Sequence, residues 1–160
     1  PMPSDEVWNT PERIQHTQLM LDSFERYLGR SLIDRSGNSR LEAEKVFRAP
    51  FVVVSHGTQD DPILNYGNAT ALELWEMDFT TLTSTPSRLT AEPVHRDERA
   101  RLLKRTTEDG FVDDYRGIRI SRTGKRFQIH QAIVWNLLDT SGVYRGQAAT
   151  FSEWDPLPSS

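Results

Sequence analysis

Between residues 115 and 154 three apolar runs alternate with two turn clusters, and that pattern leaves the second half of the chain one simple topology. The clusters are Ser121-Arg122-Thr123-Gly124-Lys125 and Asp139-Thr140-Ser141-Gly142. Short apolar runs bounded by Gly-bearing polar turns read as an antiparallel meander of three strands. Along 127–138 the odd positions are Phe, Ile, Gln, Ile, Trp and Leu, and the even ones Gln, His, Ala, Val, Asn and Leu. The first half alternates and the second is apolar on both faces. Such a strand needs cover on both faces. Mid-chain helices supply one side. The other falls to the N-terminal helix or to a partner subunit.

The first half supplies the remaining pieces. Residues 1–9 are polar and Pro-bearing, so they are read as loosely ordered. Asn9-Thr10-Pro11 opens a helix with a capping residue and a proline at the first helical position. Ile14, Gln18, Leu21, Phe24 and Leu28 follow at helical spacing, and Gly29 ends it. A short second helix is expected over 41–47. The run 49–57 is a buried strand closed by Gly57, and 63–66 is a second, giving a hairpin. Asn68 caps a helix over 69–77. Residues 78–93 are short turns and loop, a longer helix runs from Pro93 to about Thr107, and 156–160 form a tail. The fold class is therefore α+β, with five antiparallel strands, helices on one face and an N-terminal capping helix. The expected units are 1–45 as that helical extension, 46–155 as the domain proper, and 156–160 as the tail.

Composition narrows the function. At 160 residues the chain suffices for one core. A net charge of −4 argues against a nucleic-acid or membrane-surface binder, because phosphate affinity needs clustered Lys and Arg. The absence of cysteine removes disulfides, thiolate metal sites and a cysteine nucleophile. No apolar run approaches the roughly 18 residues of a membrane helix. A cytoplasmic location is expected. No metal-ligand cluster, phosphate loop, dinucleotide fingerprint or nucleophile elbow is present.

The element order resembles that of the PAS fold. Asn65-Tyr66-Gly67-Asn68-Ala69-Thr70-Ala71 is similar to the strand-to-helix element of PAS domains, and 92–110 is similar to their long mid-chain helix. A closer resemblance is to the MEKHLA domain, a PAS-related family. SHGTQDDPILNYGNATALELWEM, PSRLTAEP, DYRGIRIS, KRFQIHQAIVWNLLD and GQAATFSEW are similar to its blocks, over roughly residues 46–154. The resemblance implies a sensory or regulatory module and fixes no ligand. It implies no DNA binding, since the chain carries neither a homeodomain nor a zipper.

PAS-like folds hold small molecules between sheet and helices, in apolar pockets with a few convergent polar groups. The candidate ligand-binding residues are His56, Asn65, Tyr66, Trp75, Arg88, Tyr115, His130 and Gln147. Trp75 either walls a pocket or is plain core. His56 either binds or closes its strand. Arg88 either clamps a carboxylate at the pocket mouth or pins its loop in a salt bridge to Asp78 or Glu92. His130 faces pocket or solvent, and Gln147 reaches a ligand carbonyl or pairs across the sheet. Arg119 and Arg126 are placed on the polar face. No metal site and no catalytic residue is assigned, and the cofactor is unknown. A cysteinyl–flavin adduct is impossible without cysteine. Haem is a poor match, because His95 sits only at the first turn of the long helix.

Three readings compete. The first is a sensory module holding a small organic ligand. The second is a ligand-free homodimerisation or protein-interaction module, pairing through helix 11–28 and the outer sheet face. The third is a small acid–base enzyme using Asp113 or Asp114 with His130 or Tyr115.

Overall fold

The computed structural model describes residues 6–158. Its helices are α1 (Pro11–Leu28), α2 (Ser39–Phe47), α3 (Ala69–Trp75), α4 (Phe79–Leu82) and α5 (Arg96–Asp109). Its strands are β1 (Val52–His56), β2 (Leu64–Gly67), β3 (Phe111–Ile120), β4 (Arg126–Leu138), β5 (Tyr144–Phe151) and β6 (Glu153–Pro156). The antiparallel sheet has the order β2-β1-β5-β4-β3, and β6 pairs with the first half of β4. The expected fold class holds. The sixth strand takes up the start of the segment read as a tail: Pro156 pairs with Phe127, and Asp155 with Gln128.

Helix α1 starts and stops where its sequence dictates. The Thr10 side chain accepts from the Arg13 backbone N–H at 3.3 Å, and Gly29 closes the helix at φ 70°. Its apolar stripe, Met20, Leu21 and Phe24, lies on the outer sheet face against Val53, Trp135, Leu137 and Ala148. Phe24 meets the Trp135 ring edge-on at 5.0 Å, and Trp135 Nε1 donates to the Met20 carbonyl at 3.2 Å. The face left open to the N-terminal helix or a second subunit is thus covered within the chain. This corrects the expected dimer surface: the stripe of helix 11–28 is already used, and a partner would meet only the outward side of α1.

Two further expectations change. Trp8, inside the segment read as loosely ordered, is 1% exposed and packs with Ala43 and Phe47; residues 1–5 of that segment lie outside the described residues, as do 159–160 of the tail. Asn68 does more than cap α3. Its Oδ1 accepts from Ala71 and Val53 N–H groups at 3.1 and 3.0 Å, and its Nδ2 donates to the Val46 and Phe51 carbonyls at 3.0 and 2.8 Å. With its amide oxygen and nitrogen so engaged, it ties α2, β1 and α3 together.

The inner sheet face carries Val52, Val112, Phe127, Ile129, Val134 and Phe151 beneath Trp75 of α3 and Leu102 of α5. A simple odd–even reading of β4 cannot give this set. Gln131 has φ 47°, and the β3–β4 register advances two residues on β3 (Tyr115 to Gly117) against three on β4 (Ala132 to Ile129). The extra residue is a β-bulge, and it exchanges the faces. Odd positions point inward before it and even positions after it. Ser152, which separates β5 from β6, lies beside this irregularity.

Candidate functional site

Between the inner sheet face and α5 lies a cavity of ≈ 90 Å³. Leu102, Ile129, Val134 and Phe151 form much of its apolar wall. His56, Trp75, Tyr115 and Gln147 also line it, so half of the eight sequence candidates converge there. They are joined by Ser87 and Thr90 from the 3-10 turn Ser87–Thr90, by Arg99 from α5 and by Arg119 from β3.

The other four candidates are placed elsewhere. Tyr66 is buried on the outer face, with its ring 6.2 Å from Phe79 and 5.9 Å from His16. Asn65 is exposed on that same side and accepts from the Ser55 hydroxyl. The cause is a register shift between Ser55 and His56, which pairs Tyr66 with Ser55 and Leu64 with His56. Arg88 pins its loop as the structural alternative held, though to neither expected partner. It ion-pairs with Asp61 at 3.0 Å and does not reach the cavity. His130 is on the β6 side, 2.7 Å from Asp155.

Within the cavity a polar chain runs from helix to sheet. An Arg99 N–H donates to Ser87 Oγ. That leaves the Ser87 hydroxyl hydrogen for His56 Nδ1, 3.1 Å away. His56 also bonds the Gln147 side chain. Gln147 Nε2 in turn lies 3.0 Å from Asn136 Oδ1, 3.0 Å from Thr107 Oγ1 and 3.1 Å from the Leu103 carbonyl. Burial, with Arg99 close by, lowers the His56 pKa to about 4, so the imidazole is neutral at pH 7. Gln147 therefore serves across the sheet and from the cavity wall at once.

Several polar groups are left unmatched. Trp75 Nε1 is buried and has no hydrogen-bond partner among the described residues. Trp75 is otherwise held by Phe127 and Phe151, edge-on at 5.4 and 6.1 Å. Arg99 and Arg119 are 8% and 7% exposed, and neither forms an ion pair among the described residues. Arg119 donates to the Ile118 carbonyl at 2.9 Å and lies 5.4 Å over the Tyr115 ring. Tyr115 donates to Glu98 at 3.0 Å.

Sequence reasoning misplaces Arg119 and misses Arg99. Arg119 was assigned to the polar face, but it pairs with Phe127 and follows the inward set. Arg99 sits in a helix so charged that its inward position carries no local signal. Arg126, by contrast, meets Glu92 at 2.7 Å. Asp113 and Asp114 are both exposed: the ladder runs Val112 to Tyr115 against Val134 to Ala132, which places them at a bulge on β3. The acid–base reading loses its carboxylates at the cavity. His95 does not line it either.

Known structures define the class. The chain is similar to a PAS domain from Colwellia psychrerythraea, with 11% identity and TM-score 0.61, over 73% of this chain and 94% of that one. It is similar to the PAS domain, in complex with ethanol, of a LuxR-family transcriptional regulator from Burkholderia thailandensis, with 16% identity and TM-score 0.51, over 71% and 94%. It is also similar to the fungal blue-light photoreceptor Vivid in its light-state dimer, with 13% identity and TM-score 0.53, over 66% and 78%. The fold is that of PAS and LOV sensory domains. The chain belongs to the MEKHLA domain family, whose profile matches residues 14–156. No curated protein matches it. No helix among the described residues is long and apolar enough to cross a membrane.

Proposed function

We propose that this chain is a sensory or regulatory module that binds a small organic ligand in the cavity between the inner sheet face and α5. The observation that carries this reading is that Trp75 lines the cavity while its buried indole N–H has no partner among the described residues. A buried donor left unpaired costs free energy that a bound acceptor would return. The family and the fold support a sensory role, and the ethanol held by the Burkholderia PAS domain is a precedent for a very small occupant in this fold.

The size of the chamber limits the ligand. About 90 Å³ is far below the roughly 300–1,000 Å³ of sites for drug-sized ligands, so no flavin or haem belongs to this reading. The location is proposed as cytoplasmic. A homodimer remains part of the proposal only through surfaces other than the buried stripe of α1. Native mass spectrometry of freshly purified protein, followed by denaturation, tests the reading. The expected result is a low-mass adduct that leaves on unfolding, or one restored by a small-molecule library. A protein that stays apo against every library member contradicts it.

A further inference from the structure

We infer that the ligand is a small organic anion, a carboxylate on a compact apolar body, received by Arg99 and Arg119. The inference rests on the proposed ligand-binding reading and names the chemistry of that same cavity.

The starting point is an imbalance of charge. Two arginines, 8% and 7% exposed as whole residues, line one chamber from opposite elements, α5 and β3. Taking a cation out of water is costly unless a counter-charge or a full set of acceptors replaces the water. The partly buried arginines elsewhere observe that rule: Arg35 has Asp22, Glu25 and Glu42, and Arg126 has Glu92. Arg99 and Arg119, the more buried, have no carboxylate within 4.0 Å among the described residues. The nearby acids are engaged, Asp61 with Arg88 and Glu98 with the Tyr115 hydroxyl.

Their hydrogen bonds leave donors over. Each guanidinium carries five N–H donors. Arg99 donates to Ser87 Oγ, and Arg119 to the Ile118 carbonyl and the Tyr115 hydroxyl. Trp75 adds a donor with no partner among the described residues. Burial, and then the neighbouring Arg119, lowers the Arg99 pKa to about 10, so Arg99 is still cationic at neutral pH. The surplus is of positive charge and of N–H donors, which a carboxylate satisfies and a neutral amide or alcohol satisfies only in part. His56, neutral and committed to Ser87 and Gln147, does not compete for the role.

The walls describe the rest of the molecule. Leu102, Ile129, Val134 and Phe151 offer carbon, not polar atoms, so the body attached to the anion is apolar. A cavity of about 150 Å³ takes benzene, so this one, at ≈ 90 Å³, calls for an acid smaller than that.

The test is a matched set of probes: acetate, propionate and butyrate, each beside its primary amide and its alcohol. Binding is read by NMR from the Trp75 indole N–H in a carboxylate-free buffer. The expected result is that at least one carboxylate binds about tenfold or more tightly than its amide and alcohol. Arg119→Gln abolishes that preference, so that the acid binds no more tightly than its amide and alcohol. The comparison of probes on the unmodified protein stands even if that variant fails to fold. Amides or alcohols binding as well as the acids overturn the anion assignment and leave the ligand-binding reading in place. If no probe of any class moves the Trp75 signal, both are overturned.

Discussion

His56 and Gln147 stand opposite each other in the β1–β5 ladder, and their side chains bond again inside the cavity. Strand register and cavity chemistry are thereby one feature. Burial holds His56 neutral, with its pKa at about 4 against an ordinary 6.5. Between those values the unfolded chain binds the proton and the folded one does not, so stability rises with pH. It is complete above about pH 6.5 and is lost as pH falls toward 4. Urea unfolding at pH 7 and at pH 5 is expected to differ by about 2 kcal/mol from this group. His56→Gln removes most of that difference. Identical pH dependence in the two proteins would assign it to other groups.

Gly146 governs how closely β5 approaches β1. It has φ 126°, and a Cβ there would come within 2.1 Å of the His56 carbonyl oxygen. Gly146→Ala is expected to cost about 3 kcal/mol, as backbone strain adds to the clash. Gly124→Ala, also at positive φ but with open space around it, costs about 1 kcal/mol. Denaturant midpoints compare the pair, and equal losses would show that His56 and Gly146 are not in contact.

Phe24 fastens α1 to the sheet. Phe24→Ala removes its edge contact with Trp135 and is expected to cost about 3–5 kcal/mol. Hydrogen exchange then accelerates throughout Pro11–Leu28 and at the Trp135 indole. Unchanged protection in α1 would mean that the helix is held by something other than this stripe.

Arg88 pins a loop and does not bind. Arg88→Ala removes an exposed ion pair with Asp61 and is expected to cost less than about 1 kcal/mol, with ligand affinity unchanged. A tenfold loss of affinity would return Arg88 to the role of clamp.

Much of the fold was legible in the sequence. Thr10-Pro11 and Gly29 bound α1 where capping rules place them, and the two Gly-bearing turns mark the ends of β4. The site was legible only in part, because its errors share one physical origin. Inward and outward positions were counted at a strict period of two, while the strands carry irregularities at Ser55–His56, Asp113–Asp114 and Gln131. Each shift moves a set of side chains to the other face. Tyr66 and Asn65 went to the outer face in this way. Arg119 and Arg99 were hidden differently, since a charged residue in a polar surrounding reads as solvated. Only the packing of α5 over β3 reveals that they are enclosed.

The central claim is that the cavity beside Trp75 admits a ligand. The most direct measurement is the ¹⁵N–¹H signal of the Trp75 indole during titration with small organic molecules, assigned by comparison with Trp75→Phe. A saturable shift of that signal, with the Trp135 indole on the opposite face unmoved, is the result the account predicts. A Trp75 signal that stays fixed while the protein remains folded would contradict it.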